Sequence, residues 1–283
     1  MALNLGGGSL TSNYSALYLG NAQSMLSQSL LRLSSGQRIN KPSDDPGGLA
    51  VSMKLKNAIT VTEATKRNVD NALSYTDTQD SALESVADIL DRMSTIKISY
   101  GSGTATTSDK SSYASEFKEL QKQLDVFKSE TFNSLSLFSS SAVSKQVMIS
   151  SRGESGPTIS ISSLNISGAL SVSSTINLAS ATGSVTISGI SIGNLTTAIT
   201  QVASLRATSG ATSSRLQFSS DFLDTSKTNL EAANSRIMDV DIADEVTNYA
   251  KYNVQVYAAS AALAQSNLNM GIVLDLLNFG SSR

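Results

Sequence analysis

The sequence predicts a mainly α protein: an elongated rod of long antiparallel helices, both chain ends paired in a terminal coiled coil, and a small β-hairpin region in the middle of the chain. Three observations carry that expectation. A heptad seam with three polar breaks runs from Ile242 through Val246, Tyr249, Asn253, Val256, Ser260, Leu263, Asn267, Met270, Leu274 and Leu277. A second seam of thirteen positions is unbroken over 51–93, longer than an ordinary globular helix supports. The third is a change of period, from helical to alternating near Val147 and back to helical at Leu195.

The first helical pattern covers about 12–33, with Tyr18, Ala22, Leu26, Leu30 and Leu33 on one side. Residues 1–43 carry Arg32, Arg38 and Lys41 and no acid, whereas residues 240–283 carry Asp241, Asp244, Glu245 and Asp275 against Lys251 and Arg283. Opposite sign adds only a weak preference. The stronger reason to expect the ends to pair is that both are amphipathic, nearly uncharged and similar in length. Gly36 reads as a helix stop, and 42–48, PSDDPGG, as a turn and an amino-terminal cap. Asp44 and Asp45 are read there as cap and turn acceptors rather than as a metal site.

The next helix has the seam Val51, Leu55, Ala58, Thr62, Thr65, Val69, Ala72, Thr76, Gln79, Leu83, Val86, Leu90 and Met93. Its first half is polar, so it needs partners for stability. After the turn Tyr100-Gly101-Ser102-Gly103 a shorter helix shows Phe117, Leu120, Leu124 and Phe127. Val147 and Ile149, then Ile159 and Ile161, flank a turn and predict a hairpin. Residues 164–193 carry no charge and set isolated Ile, Leu and Val among Ser, Thr and Gly. They read either as short exposed strands or as a loosely ordered insertion, and something should cover them, neighbouring subunits or attached sugar.

Helical period resumes through Leu195, Ile199, Val202, Leu205, Ser209, Thr212, Leu216, Ser219, Leu223, Ser226, Leu230, Ala233 and Ile237, and a break at 238–241 precedes the last helix. That helix spans roughly 54 Å at about 1.5 Å per residue. It has a second apolar stripe, Ala250, Val254, Tyr257, Ala261, Ala264 and Leu268, and no charged side chain over 252–274. A helix apolar nearly all round belongs in the interior of a domain or of an assembly.

Composition excludes much chemistry. The chain has no His and no Cys, so a Ser-His-Asp triad, a zinc finger and a disulfide framework cannot be built. No cofactor is expected and the chain is not expected to be an enzyme. A net charge of -2 argues against nucleic acid, and the amides and hydroxyls over 252–274 argue against a membrane span. The first twenty residues lack the basic start and compact apolar block of a secretory signal, so no cleaved signal peptide is expected.

Leu33-Ser34-Ser35-Gly36-Gln37-Arg38-Ile39-Asn40, then Asp44-Asp45 and Gly48-Leu49-Ala50, resemble the amino-terminal signature of bacterial flagellins. A second block resembles the closing segment of the same family: Asn234-Ser235-Arg236-Ile237, Asp239, Asp241, Glu245-Val246-Thr247, Ala262-Leu263-Ala264-Gln265-Ser266-Asn267 and Val273-Leu274-Asp275-Leu276-Leu277. Phe132-Asn133 and the hairpin also match in place. The resemblance covers about 10–163 and 194–278, and identifies a short form with little or no outer domain.

The resemblance implies an extracellular structural subunit, exported unfolded through the flagellar type III channel and stacked with many copies of itself into the helical flagellar filament used for swimming. It implies a discontinuous inner coiled-coil domain, 1–42 with 240–283, disordered in the free monomer. It implies a helical rod domain, 43–163 with 194–239, and the insertion 164–193 in place of outer domains. Filament core packing would fall to Tyr18, Ala22, Leu26, Leu30, Leu33, Ile242, Val246, Tyr249, Val256, Leu263, Met270, Leu274 and Leu277. Partners implied are an export chaperone, the filament cap, hook-junction proteins and an innate immune receptor, the last through Arg92 and Ile96. Arg92 also reads, from its residue type alone, as a solvated or subunit-contact arginine. A hook-filament junction protein, or a secreted coiled-coil adhesin or effector, would share the same helical plan.

Overall fold

In the computed structural model, residues 6–141, 143–150, 156–173, 176–179 and 185–281 are described, and side chains at 6–11, 172–177 and 273–281 are left aside. The described residues form α1 (Gly6–Ser35), α2 (Pro46–Tyr100), α3 (Thr107–Lys128), α4 (Ile166–Leu170), α5 (Ile192–Met238) and α6 (Ile242–Ser281). Six short strands, β1 (Thr131–Phe132), β2 (Leu135–Ser136), β3 (Ser144–Met148), β4 (Thr158–Ser162), β5 (Ser171–Ser173) and β6 (Ile176–Asn177), pair antiparallel in consecutive twos. The chain divides into two compact units, Met1–Asn57 with Leu230–Arg283, and Ala58–Asn229.

The helix ends are set by local chemistry. Gly36 stops α1 in the left-handed region at φ 70°, its N–H bonded to the Arg32 carbonyl at 2.9 Å. Asp45 caps α2 by accepting the Gly48 N–H at 2.8 Å, with Pro46 in the first helical position, where a missing N–H costs nothing. Thr106 and Asp109 close a reciprocal capping box on α3. Asp241 caps α6 through the Ala243 N–H at 2.9 Å. The expected break between α5 and α6 is therefore a three-residue link, 239–241.

The unit Ala58–Asn229 holds the main apolar core. Every member of the large buried cluster lies from Val69 to Leu223, and Leu83, Val86, Leu90, Met93, Phe117, Leu124, Leu195, Val202 and Leu216 are among its helical members. The expected seams of α2 and α5 are half-buried or buried throughout, except for Val51 at the start of α2. The polar half of the α2 seam is satisfied largely by hydrogen bonds. The Gln79 amide donates to the carbonyls of Leu137 at 2.7 Å and Ser162 at 3.3 Å, and the Thr65 and Thr76 hydroxyls donate back into their own helix. Arg206 of α5 reaches both carboxylate oxygens of Asp80 on α2, at 2.9 and 3.0 Å.

The hairpin expected around Val147 and Ile161 is β3–β4, with Val147 opposite Ile159 and Lys145 opposite Ile161. Much of its turn, 151–155, lies outside the described residues. A tighter hairpin, β1–β2, turns on Asn133 and Ser134, both at positive φ (47° and 63°), as a two-residue turn demands. The 164–193 stretch does more than either expected alternative. Ile166, Leu170, Leu178, Ile187 and Ile190 are each almost fully buried in the core of this unit. The isolated aliphatic residues are anchors, held in one buried cluster with residues of α2, α3, α5 and the β3–β4 hairpin. Residues 174–175 and 180–184 of that stretch lie outside the described residues.

Candidate assembly surface

The other unit, Met1–Asn57 with Leu230–Arg283, is built differently. Among the described residues it buries only three apolar side chains, Ala22, Ile39 and Met238, so its stability rests on a helix pair and a polar junction. The junction joins the segment after α1 to the end of α5. The Arg38 N–H donates to the Met238 carbonyl at 2.6 Å and the Val240 N–H to the Gly36 carbonyl at 3.1 Å, and the Arg38 guanidinium donates twice to the Ile237 carbonyl. Asp44 accepts the N–H groups of Lys41 and Asn40 at 3.0 and 3.1 Å and the Gln28 amide at 3.1 Å. Those backbone donors, Lys41 first, hold the Asp44 carboxyl below its ordinary value. Asp44 and Asp45 are thus turn and cap acceptors, and among the described residues no group of acids is arranged to hold a metal ion.

α1 and α6 run antiparallel: Ser12 donates to Asn267 at 3.2 Å, and Ser29 to the Glu245 carbonyl at 3.3 Å. The two ends pair as the sequence predicts. The face that α6 turns to α1 carries Glu245, Tyr249, Tyr252, Val256, Ala259, Leu263, Ser266 and Met270, all half-buried or buried. Tyr249, Val256, Leu263 and Met270 were expected on the seam. Its other column is 245-252-259-266, beside the expected 246-253-260-267, of which Asn253 is also half-buried and Asn267 accepts the Ser12 bond, while Val246 and Ser260 are exposed. At the start of α6, Glu245, 6% exposed, meets Arg32 at 3.8 Å, so Glu245 rather than Val246 is turned toward α1 there. Arg32 is the first charge on α1 and Glu245 lies in the first turn of α6, so opposite charge was the signal available in the sequence.

The remaining predicted packing residues divide accordingly. Ala22 is buried against α6 and Leu26 and Leu33 are half-buried, whereas Tyr18, Leu30, Ile242 and Val246 are exposed. Leu274 and Leu277 are on α6, outside the residues whose side chains are described. The second stripe is open as well: Val254, Tyr257 and Leu268 are each more than 60% exposed, and Ile272 continues it. Exposed apolar side chains on this scale mark an interaction surface. Of the two expected receptor contacts, Arg92 is on the surface of the larger unit, with its Nε and Nη2 on one Glu116 oxygen at 2.8 and 2.6 Å, and Ile96 is a core residue, 2% exposed. No described helix is long and apolar enough to cross a membrane.

Comparison with known proteins gives this arrangement a family. Residues 10–142 match the bacterial flagellin N-terminal helical region and residues 192–277 the bacterial flagellin C-terminal helical region. A flagellin of Halalkalibacterium halodurans is 31% identical over 247 residues, covering 87% of this chain and 89% of the relative. The flagellar filament 30.7 kDa core protein of Treponema maltophilum is 29% identical over 95% of this chain and 98% of its own length. A flagellin of Listeria monocytogenes is 29% identical over 92% of this chain and 95% of its own length. The paired chain ends, the helical core and these matches along both halves lead to one conclusion: the chain belongs to the bacterial flagellin family and is a structural subunit of the flagellar filament, not an enzyme.

Proposed function

We propose that the α1–α6 pair is the polymerising element of this subunit, the inner domain being 1–42 with 240–283 and the rod 43–163 with 194–239. The observation that supports this most is the contrast in burial. The larger unit has a core of its own, while α1 and α6 leave Tyr14, Leu17, Tyr18, Val246, Val254, Tyr257 and Leu268 in water. At about 1.5–3 kcal/mol per buried aliphatic or aromatic side chain, covering that surface with neighbours is a large driving force, available only when several copies meet. Nucleated growth follows, because a first contact covers part of the surface at the full cost of ordering it.

Seeded sedimentation tests the proposal. The full chain should grow filaments from short seeds, and a chain lacking 1–42 and 240–283 should stay monomeric and helical. A full chain that remains monomeric with protease-resistant ends would return the secreted adhesin or effector reading. Export without a cleaved signal, and contacts with an export chaperone, filament cap and hook-junction proteins, belong to the same reading. So does an innate immune receptor, for which Arg92 is the presented residue and Ile96 its support from within. Monomers from the same preparation carrying Arg92→Ala should stimulate receptor-bearing cells less than wild type; equal stimulation removes Arg92 from that role.

A further inference from the structure

Gln121 of α3 is fully buried, and neither its amide nitrogen nor its amide oxygen has a hydrogen-bond partner. No other described side chain of the larger unit leaves both a donor and an acceptor unmet. Gln121 lies one turn from Phe117 and one turn from Leu124, on the face that α3 turns to the core. Gln79 of α2 is a second buried glutamine in the same unit, 2% exposed, and its amide is paired at both atoms. Its nitrogen donates to the Leu137 and Ser162 carbonyls, and its oxygen accepts from the Ser209 hydroxyl at 3.4 Å. An amide that folding strips of water and leaves unpaired counts against the closed state, and recovers its hydrogen bonds as soon as water reaches it.

The helices of this core are tied to one another unequally. α2 and α5 are joined along their length: Asp70, Asp77 and Glu84, at seven-residue steps on α2, meet Ser220, Ser213 and Arg206 on α5 at 3.0, 3.5 and 3.5 Å. The polar side-chain ties of α3 are Glu116 to Arg92, both well exposed, and Lys128 to the Ala179 carbonyl at 3.3 Å. Gln121 lies between those two points and adds nothing to them. A six-residue link, 101–106, with glycine at 101 and 103, joins α3 to α2.

We infer that α3 opens from the core as a unit, hinged on 101–106, while α2 and α5 stay joined, and that the unpaired amide of Gln121 sets how often it does so. Opening returns that amide to water, whereas parting α2 from α5 breaks a ladder of bonds already made. α3 runs antiparallel to α2 with Glu116 level with Arg92, which sets Gln121 level with Ala87. The lifted helix therefore bares the middle of the core, and α3 is the place where the larger unit begins to come apart.

Amide hydrogen exchange on the free, full-length chain tests this, because exchange resolves partial opening from global unfolding. In the wild type the amides of α3 should exchange as one group, faster than those of α2 from Leu83 to Ile96, and with a weaker dependence on denaturant. Methionine is unbranched like glutamine and carries no amide, so Gln121→Met removes the unpaired group while filling its place. It should slow α3 exchange by about tenfold or more. Gln79→Met is the same substitution at the paired glutamine, and strands the Leu137 and Ser162 carbonyls. It should speed exchange in the larger unit. α3 amides that exchange at the rate of the α2 core in the wild type would mean that α3 leaves only with everything else, and overturn the inference. So would Gln121→Met chain whose α3 exchange is unchanged or faster, or two methionine variants that shift exchange in the same direction.

Discussion

Asp44 is one short side chain that closes three separate pieces of backbone and side chain at the junction: Lys41, Asn40 and Gln28. Its pKa is lowered first by the Lys41 N–H, then by the Asn40 N–H, with further help from Arg32. A carboxyl whose folded value is depressed contributes stability above its unfolded value and loses it as pH falls through the folded one. The thermal midpoint of the wild-type chain should therefore exceed that of Asp44→Asn at neutral pH, and the gap should begin to narrow as pH falls below about 4, the ordinary carboxylate value, and close only below the depressed folded one. A gap that stays constant with pH would show that the charge at Asp44 has no part in it. The role of Asp44 in a turn was legible from the run PSDDPGG alone. The Gln28 contact was not, because only the tertiary path brings α1 back beside that turn.

Among the elements, α2 and α5 were the most legible and α6 the least, for a physical reason. α2 and α5 have a single apolar stripe each, so period alone selects the buried face. α6 is apolar nearly all round, and periodicity cannot choose between two columns one residue apart. The start of α6 is fixed by the Arg32–Glu245 pair and by the Ser29 bond to the Glu245 carbonyl, each of which spans more than two hundred residues of chain. The 164–193 stretch was illegible in another way: its anchors belong to a short helix, a hairpin and a 3-10 turn, so no single period links them. Their burial makes a clear prediction. Leu178, fully buried, should cost about 2–5 kcal/mol as Leu178→Ala, read as a lower denaturant midpoint for the larger unit. A change within error would mean that the segment lies on the core without being part of it.

At the scale of the whole molecule, the two units are stabilised by different means: one by an apolar core, the other by a junction of hydrogen bonds and a half-exposed helix pair. Local opening follows burial, so amide exchange in the free chain should be slowest near Leu83 to Ile96 and fast along α1 and α6. In filaments the exchange of α1 and α6 should slow markedly while the α2 core changes little. Equal protection of α1 and α6 in both states would mean that assembly adds no cover there. The opposite placement of the partners along the chain also has a consequence in time. Ser29 is made 216 positions before the Glu245 that it binds. At roughly 5–20 residues per second, a ribosome leaves α1 without its partner for about 10–40 s. Through that interval α1 has no native contact with α6 available to it, and is open to whatever meets it first.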